Sequence, residues 1–224
     1  MNPAAAEESP ALGPTRVLVA PDAVLDARLA LFHRAERWLA VADVHFGYEL
    51  SQRAAGALFP AWGMGTVEAR LLELLADYRP ARLVIAGDFV HDHTARAAAL
   101  ELLKKLRTQT EVVLLAGNHD RRTFAAGEMQ PFWQTERFCF HHGDGPAPAA
   151  AEGRQVVIGH HHPAGTLHDG AGFALKLPAF VVASTCWVLP AFSPWAAGGG
   201  GRFGAGSRRW LCSPKRILPP RERQ

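Results

Sequence analysis

Five short polar blocks in the middle of the chain limit its fold more than any other feature. Each block directly follows a short apolar run and contains histidine, aspartate or both. The blocks are Asp43-Val44-His45, Gly87-Asp88, Gly117-Asn118-His119-Asp120, His141-His142-Gly143 and Gly159-His160-His161-His162. Polar residues just beyond strands are where a rigid sheet presents functional side chains. The fold must therefore bring several strand ends together at one place.

The segments around the first three blocks alternate between strand and helix patterns. Short apolar runs predict strands over residues 16–20, 28–32, 38–42, 82–86 and 111–116. Apolar residues at helical spacing predict two helices, one with Thr66 as its N-cap and Pro80 at its end, and one that follows Thr94. This alternation predicts parallel strands joined by right-handed crossovers, so their carboxyl ends should lie along one edge.

The second half of the chain contains mostly strand patterns. Short runs separated by Gly and Pro predict strands over residues 138–142, 155–159, 173–177, 180–184, 187–192 and 208–212. No strong helical spacing lies between them. We therefore predict an α/β fold in which two sheets pack face to face with helices outside.

Length and composition favour one folded domain. A chain of 224 residues, 48% of them hydrophobic, can bury a substantial core without needing two domains. Residues 1–14, rich in Ala, Pro and Glu, predict a disordered leader. We expect the main domain over residues 15–197. A Gly-rich loop and a basic strand and tail over residues 198–224 should complete the same domain.

The positive charge is concentrated at the end of the chain. From Gly201 onward there are seven basic side chains and one acidic side chain, whereas the whole chain has a net charge of +3. Such a tail can contact phosphate backbones or anionic surfaces, or it can be a solvated segment. The tail alone therefore leaves nucleic-acid binding open.

Cysteine usage and hydropathy indicate the cellular compartment in which the protein is expected. The three cysteines form no CxxC pair, which favours a reducing environment over a disulfide framework. The longest apolar stretch, Phe180–Phe192, is interrupted by polar residues and Pro190 and is shorter than the roughly 20 residues of a spanning helix. We therefore expect a soluble, cytoplasmic protein without a membrane partner.

The polar blocks predict a metal site. Alternate residues of an extended segment share one side, so Asp43 with His45, and His160 with His162, can each offer two ligands. Burying so many carboxylates and imidazoles without a counter-charge would be costly, which favours divalent cations in the cluster. These donors suit Mn, Fe or Zn better than a thiolate zinc site, and two ions fit the ligand count better than one. His33 and His168 lie outside the blocks and are expected to have ordinary structural roles.

In this order, the five blocks resemble the calcineurin-like metallophosphoesterase superfamily. The flanking segments 42–49, 87–91, 177–180 and 188–192 are similar to one branch, the bacterial ligase-associated DNA-damage-response phosphoesterases and endonucleases (PdeM-like). The resemblance implies a metallophosphoesterase-like sandwich of two packed mixed β-sheets flanked by helices (α/β/β/α). It also implies association with a DNA ligase and a helicase-like protein.

The resemblance implies a ligand set for two divalent metal ions. One ion would be held by Asp43, His45 and His162, the other by Asn118, His142 and His160, and Asp88 would bridge both. Mn is favoured, with Mg, Fe and Zn as alternatives. His119 would be the catalytic histidine.

Residues outside the implied ligand set are open to more than one interpretation. The sequence has His91 where the protein-phosphatase version of the second block has an aspartate that orients the catalytic histidine, so either His91 or Asp92 could orient His119. Arg121 and Arg122 could hold a flanking phosphate or a nucleic-acid backbone, or could be solvated residues of a loop. Trp133, Trp187, Trp195 and Trp210 could stack on bases, although tryptophan more often packs in a core.

Together these observations predict an enzyme that hydrolyses phosphodiester bonds by in-line attack of a metal-bridging hydroxide. The favoured substrate is nucleic acid, with DNA ahead of RNA, in an endonuclease-like step of DNA repair. The same site could instead act on a small substrate such as a cyclic nucleotide or a phosphomonoester, because the pocket rim sets the substrate. A non-catalytic scaffold is disfavoured, since every expected ligand position is filled.

Overall fold

A computed structural model describes residues 12–125, 127–196, 198–199, 201, 203–204 and 206–220. Most of the expected leader, residues 1–11, lies outside the described residues, and so do residues 221–224 at the end of the basic tail. In and beside the expected Gly-rich loop, Ala197, Gly200, Arg202 and Ala205 lie outside them as well.

The first sheet has six strands in chain order. They are β1 (Arg16–Ala20), β2 (Ala23–Asp26), β3 (Ala30–His33), β4 (Trp38–Val41), β5 (Arg82–Ala86) and β6 (Glu111–Leu115). β1 to β4 pair antiparallel, whereas β4, β5 and β6 pair parallel. The alternation of strand and helix patterns therefore predicted the parallel part of this sheet correctly.

Three α-helices lie in the described residues, all of them before the second sheet in the chain: α1 (Tyr48–Ala54), α2 (Gly63–Tyr78) and α3 (Arg96–Arg107). α2 begins three residues earlier than its predicted N-cap, Thr66. The reason is a tertiary contact, because Glu49 of α1 accepts a hydrogen bond from the backbone N–H of Met64 at 2.6 Å and so satisfies a donor of the first turn. None of the described helices is long and apolar enough to cross a membrane.

The second sheet contains eight strands of mixed direction: β7 (Phe132–Gln134), β8 (Phe138–His141), β9 (Gln155–Ile158), β10 (Ala164–His168), β11 (Ala174–Val182), β12 (Cys186–Val188), β13 (Arg208–Ser213) and β14 (Arg216–Leu218). β8, β9 and β12 run parallel, in the order β8-β9-β12. The other pairs are antiparallel. The predicted strands over 173–177 and 180–184 form one strand, β11, which pairs with β10 up to Pro178 and with β12 and β13 beyond it.

The two sheets enclose a common apolar core. The indole of Trp38 on β4 is fully buried, and its ring meets the rings of Phe138 and Phe140 on β8 edge to face at 4.9 Å. Apolar residues of α2 and α3, such as Leu71 and Leu102, belong to the same core. This arrangement confirms the expected α/β sandwich of two mixed sheets.

A buried carboxylate ties the edge of the first sheet to α2. Asp26 is 1% exposed and accepts hydrogen bonds from Arg16 Nε at 3.2 Å, from Arg28 Nε at 3.0 Å and from the Tyr78 hydroxyl at 2.8 Å. Burial by itself would raise the pKa of Asp26, but the hydrogen bonds and charge of Arg28 outweigh burial and lower it. Asp26 is therefore a charged group that stabilises the fold.

We expect Asp26→Asn to lower the free energy of unfolding at pH 7 by about 3 kcal/mol, since it removes one partner of a buried ion pair. A carboxyl with a lowered folded-state pKa stabilises the protein above its unfolded pKa of about 4 and loses this effect as the pH falls through the folded value. The difference between wild type and variant in urea unfolding should therefore shrink from pH 7 to pH 3. The control Glu111→Gln, in an exposed pair with Arg82, should change stability little. A constant difference across this pH range would contradict the prediction.

Candidate metal centre

The strand ends of both sheets bring the five polar blocks together. β4, β5 and β6 are parallel, so the blocks that contain Asp43, Asp88 and Asn118 follow the same edge of the first sheet. β8 and β9 are also parallel and lead into His142 and His160. The backbone N–H of His160 donates to both oxygens of Asp43, at 3.0 and 2.9 Å, which joins the two sheets at this point.

One group of donors consists of Asp43, His45 and His162. The Nε2 atom of His162 lies 3.2 Å from Asp43 Oδ1 and 3.4 Å from His45 Nε2. Asp43 is fully buried and His45 is 8% exposed. Their ligand atoms lie within 4.8 Å of one another, close enough to hold one metal ion.

A second group surrounds His142. Its Nε2 atom lies 3.1 Å from Asn118 Oδ1, 3.2 Å from His160 Nδ1 and 3.3 Å from Asp88 Oδ2. Asp88 Oδ2 is also 3.9 Å from His45 Nε2 of the first group. Asp88 therefore lies between the two groups, where a bridging ligand is expected.

The donor set fits a bound cation. His142 Nδ1–H donates to the carbonyl oxygen of Ala86 at 3.1 Å, so in the neutral ring Nε2 is a lone pair that faces the oxygens of Asn118 and Asp88. Lone pairs that face each other repel unless a proton or a metal lies between them. Among the described residues, neither Asp43 nor Asp88 forms an ion pair with Lys or Arg. Buried carboxylates without such a partner favour a metal as the counter-charge.

Three of the candidate ligands have shifted pKa values. Burial alone would lower the pKa of His142, but the hydrogen bond and charge of Asp88 raise it to about 9. Burial would raise the pKa of Asp88, yet the same contact with His142 outweighs it and lowers the pKa. Burial lowers the pKa of His45 to about 3, so its ring is neutral and free to coordinate. A metal ligand must be deprotonated, so a metal at His142 would compete with a proton for Nε2.

Backbone strain is concentrated in these same residues. Among the described residues, nine non-glycine residues have positive φ, and five of them are Asp43 (53°), His45 (44°), Asp88 (50°), His160 (63°) and His162 (43°). Such a conformation costs roughly 1–2 kcal/mol per residue for most side chains. Strain of this kind persists where the surrounding structure imposes it, typically at functional sites.

Two glycines of the blocks are required by close approach. A Cβ atom on Gly117 would lie 2.1 Å from Asp88 Oδ1, and one on Gly87 would lie 2.2 Å from His142 Nδ1. Any side chain at either position would displace a donor of the second group. The Gly-Asp and Gly-Asn pairs of the sequence therefore keep the strand ends close enough to share ligands.

His119 lies beside the centre with its ring oriented by His91. Its backbone N–H donates to Asp88 Oδ1 at 2.9 Å, and its Nδ1–H donates to the carbonyl oxygen of His91 at 2.9 Å. The two rings stack at 5.0 Å. Since Nδ1 carries the proton of this hydrogen bond, Nε2 is the atom of His119 that can exchange a proton with a substrate. Asp92 instead accepts a hydrogen bond from the backbone N–H of Thr94 at 2.9 Å.

The other residues singled out in the sequence have different positions. Arg121 and Arg122 are exposed on a 3₁₀ turn, and Arg121 NH2 forms an ion pair with Asp144 Oδ2 at 2.6 Å. His161 is exposed, next to the candidate ligands on either side of it. His33 is buried in the first sheet, where its Nδ1 accepts a hydrogen bond from the backbone of Glu36. Three of the four tryptophans, Trp133, Trp187 and Trp210, pack with the core, whereas Trp195 does not belong to it.

Two buried carboxylates near the site have roles that were not predicted. Asp120 is fully buried and accepts hydrogen bonds from the backbone N–H groups of Gly117, Phe89 and Val90, so it holds the second and third blocks together. Burial is the main cause that raises the pKa of Asp120 to about 6. Glu49 accepts from Trp195 Nε1 at 3.1 Å as well as from α2. The available signal for Asp120 was its position inside a polar block. For Glu49 it was a charged residue at the end of the 42–49 segment.

The fold and the donor set define a class: a metal-dependent hydrolase whose centre lies where the strand ends of two sheets meet. Residues 37–174 match the family model for calcineurin-like phosphoesterases, which is more than half of the chain. The chain belongs to this family. It is a metal-dependent phosphoesterase, as the resemblance of the five blocks implied.

Solved structures include a similar nuclease. The crystal structure of Pseudomonas putida nuclease MPE is similar at 32% identity and a TM-score of 0.69, over 88% of this chain and 94% of that chain. The phosphoesterase Yfce from E. coli aligns at 18% identity and a TM-score of 0.39, over 79% of this chain and 88% of that chain, which is too distant to inform the function. No curated protein matches the chain significantly.

Proposed function

We propose that this phosphoesterase hydrolyses phosphodiester bonds in nucleic acid, with DNA as the favoured substrate. The observation that carries the proposal is the convergence of six candidate ligand side chains around a seventh, Asp88, which lies 3.3 Å from His142 and 3.9 Å from His45. The similarity to a bacterial nuclease over most of both chains supports nucleic acid as the substrate class.

The proposed ligand set has two parts that share one residue. Asp43, His45 and His162 would hold one divalent ion, and Asn118, His142 and His160 would hold the other, with Asp88 between them. When bound, such a pair of ions supplies positive charge to the phosphoryl oxygens and a nucleophile at neutral pH. The hydrogen bonds that Asp43 and Asp88 accept from the backbone N–H groups of His160 and His119 would help to position these ligands.

His119 would be the catalytic histidine and His91 its positioning residue. The leaving oxygen of a nucleic acid is a strongly basic alkoxide, which departs more easily when it receives a proton. In its imidazolium form, with a proton on each ring nitrogen, His119 can provide that proton from Nε2 while its Nδ1–H stays hydrogen-bonded to the His91 carbonyl oxygen. The carbonyl group of His91 fixes the tautomer and the stacked ring fixes the orientation. Asp92 instead caps the 3₁₀ turn that begins at His93.

The metal, the cellular setting and the partners of the proposed function rest on the resemblance alone and remain proposals. The favoured metal is Mn, ahead of Mg, Fe and Zn. The proposed setting is cytoplasmic DNA repair, together with a DNA ligase and a helicase-like protein. Arg122 is exposed on the 3₁₀ turn that follows His119 and could contact a backbone phosphate, whereas Arg121 would first have to leave Asp144.

We expect chelator-stripped protein to be inactive and to regain activity with added divalent metal, with Mn most effective. The substrates to compare are bis-nitrophenyl phosphate, nitrophenyl phosphate and a single-stranded or duplex DNA. Restored hydrolysis should favour the diester over the monoester and should extend to DNA. A preference for the monoester would contradict the proposal in favour of a small-molecule phosphatase, and inactivity with every metal would favour a scaffold.

A further inference from the structure

A cavity of about 420 Å³ borders the candidate metal centre. His162, one of the candidate ligands, forms part of its wall, and other walls come from α2, β11 and the loop that includes Ser193. Pockets for small molecules typically measure roughly 300–1,000 Å³. The cavity is therefore large enough for a part of the substrate that extends beyond the metal centre.

The described lining of this cavity is cationic. Arg28, Arg70 and Lys176 line it, and no Asp or Glu does. Arg28 is already neutralised, because its NH2 group lies 2.8 Å from an oxygen of Asp26 and 2.9 Å from one of Asp77. The net positive charge of the cavity therefore comes from Arg70 and Lys176.

Arg70 lies in the wall without an ion pair among the described residues, although the charge of Glu73 acts on it. It is half-buried on α2, its NH1 donates to the carbonyl oxygen of Phe192 at 2.9 Å, and its guanidinium lies 4.8 Å from the centroid of that ring. Among the described residues, no carboxylate lies within ion-pair distance of Arg70. Burial is the main cause that lowers its pKa, so the guanidinium is a cation in poorly solvated surroundings. An anion in the cavity would stabilise it.

Lys176 contributes the second positive charge, from β11 of the second sheet. It is exposed on β11, and its Nζ donates to the carbonyl oxygen of Gly198 at 2.7 Å. No ion pair of Lys176 occurs within the described part of the chain. Arg70 on α2 and Lys176 on β11 therefore bring two positive charges to one cavity.

The remaining wall is mostly apolar, although Ser193 and Ser213 belong to it. Leu29, Leu177, Pro178 and Ala191 line it, with the metal ligand His162 beside them. A pocket with two cations outside any ion pair of the described residues, a mostly apolar surface and one side at a phosphoester-cleaving centre matches a nucleotide, which has a phosphate joined to a less polar sugar and base. Inorganic phosphate alone would leave the apolar wall uncovered.

We propose, resting on the proposed function, that this cavity binds the nucleotide next to the scissile phosphodiester, with the phosphate of that nucleotide between Arg70 and Lys176. The cavity would thus make the enzyme prefer substrates that have a second phosphate near the cleaved one. It would also explain a preference for nucleic acid over simple diesters.

The test uses nitrophenyl esters of thymidine with and without a second phosphate. One series has the ester on the 5′-phosphate, with the 3′-oxygen free or phosphorylated, and the other series reverses the two ends. We expect wild type with added Mn to prefer the second phosphate about 10-fold in kcat/KM in one series, as for one charged hydrogen bond. Lys176→Ala, at an exposed position, should remove this preference, mainly through KM. Arg70→Gln should do the same, provided that its thermal unfolding matches wild type.

Lys104→Ala is the matched control, because Lys104 is an exposed lysine of α3 that pairs with Glu101 and does not line the cavity. It should keep the preference of wild type. The same preference in Lys176→Ala and wild type, or no preference in either series, would overturn the inference. Cleavage of a DNA strand by wild type is a separate readout, so failure of the proposed function would be recognised independently of these esters.

Discussion

Replacing Asp88 with asparagine should reduce metal-dependent hydrolysis at least about 100-fold, beyond the 10- to 100-fold loss typical of removing an outer partner of a metal ligand. Asp88 is the one candidate ligand placed between both groups, at 3.3 Å from His142 and 3.9 Å from His45. An amide keeps the shape of the side chain but removes its negative charge. The variant should therefore bind fewer than the two metal ions per chain that we expect for wild type.

Asparagine is the right substitution for a structural reason. Asp88 has a φ of 50°, a left-handed conformation that asparagine tolerates better than alanine does. Asp22→Asn provides a matched control, since Asp22 also has a positive φ, 62°, but lies in the turn between β1 and β2. Metal content by elemental analysis and hydrolysis of bis-nitrophenyl phosphate should both fall in Asp88→Asn and stay at the wild-type level in Asp22→Asn. Full metal content with full activity in Asp88→Asn would refute the assignment of the centre.

The parts of the fold that local pattern predicts are those whose neighbours in space are also neighbours in sequence. The strand runs at 82–86 and 111–116 and the helix between them are complete local units, so their pairing follows from connection rules. The start of α2 could not be predicted in this way, because its first turn is capped by Glu49 from another helix. β11 passes through Pro178 because the strand changes partners there, which no local pattern records.

The candidate site also combines features that local sequence predicts with features that depend on tertiary packing. Each polar block is a short motif, so candidate ligands could be proposed from sequence, and the parallel strands account for their convergence. The orienting group of His119 is a backbone oxygen, which no residue type reveals. Arg70 and Lys176 lie on different elements without any common motif, so their shared cavity follows only from how α2 and β11 pack.

His119→Ala should separate the two chemical steps that the site must support. General acid help is typically worth about 100- to 10,000-fold, and it matters most when the leaving group is a strong base. Nucleic acid releases such an alkoxide, whereas nitrophenolate is a weak base that departs without a proton. We therefore expect a loss of that size on DNA and a much smaller loss on bis-nitrophenyl phosphate, at equal metal content.

This contrast between substrates distinguishes proton donation from other roles of the same ring. His119 also donates its backbone N–H to Asp88 Oδ1 at 2.9 Å, a contact that alanine retains, so the metal ligands should stay in place. If His119 instead steadies the phosphoryl oxygens, the loss should be equal on both substrates, because both pass through similar charge on phosphorus. His161→Ala, at an exposed histidine within a ligand block, is the control and should behave as wild type on both. An unchanged rate on DNA in His119→Ala would remove His119 from the mechanism and leave the metal ligands alone to explain catalysis.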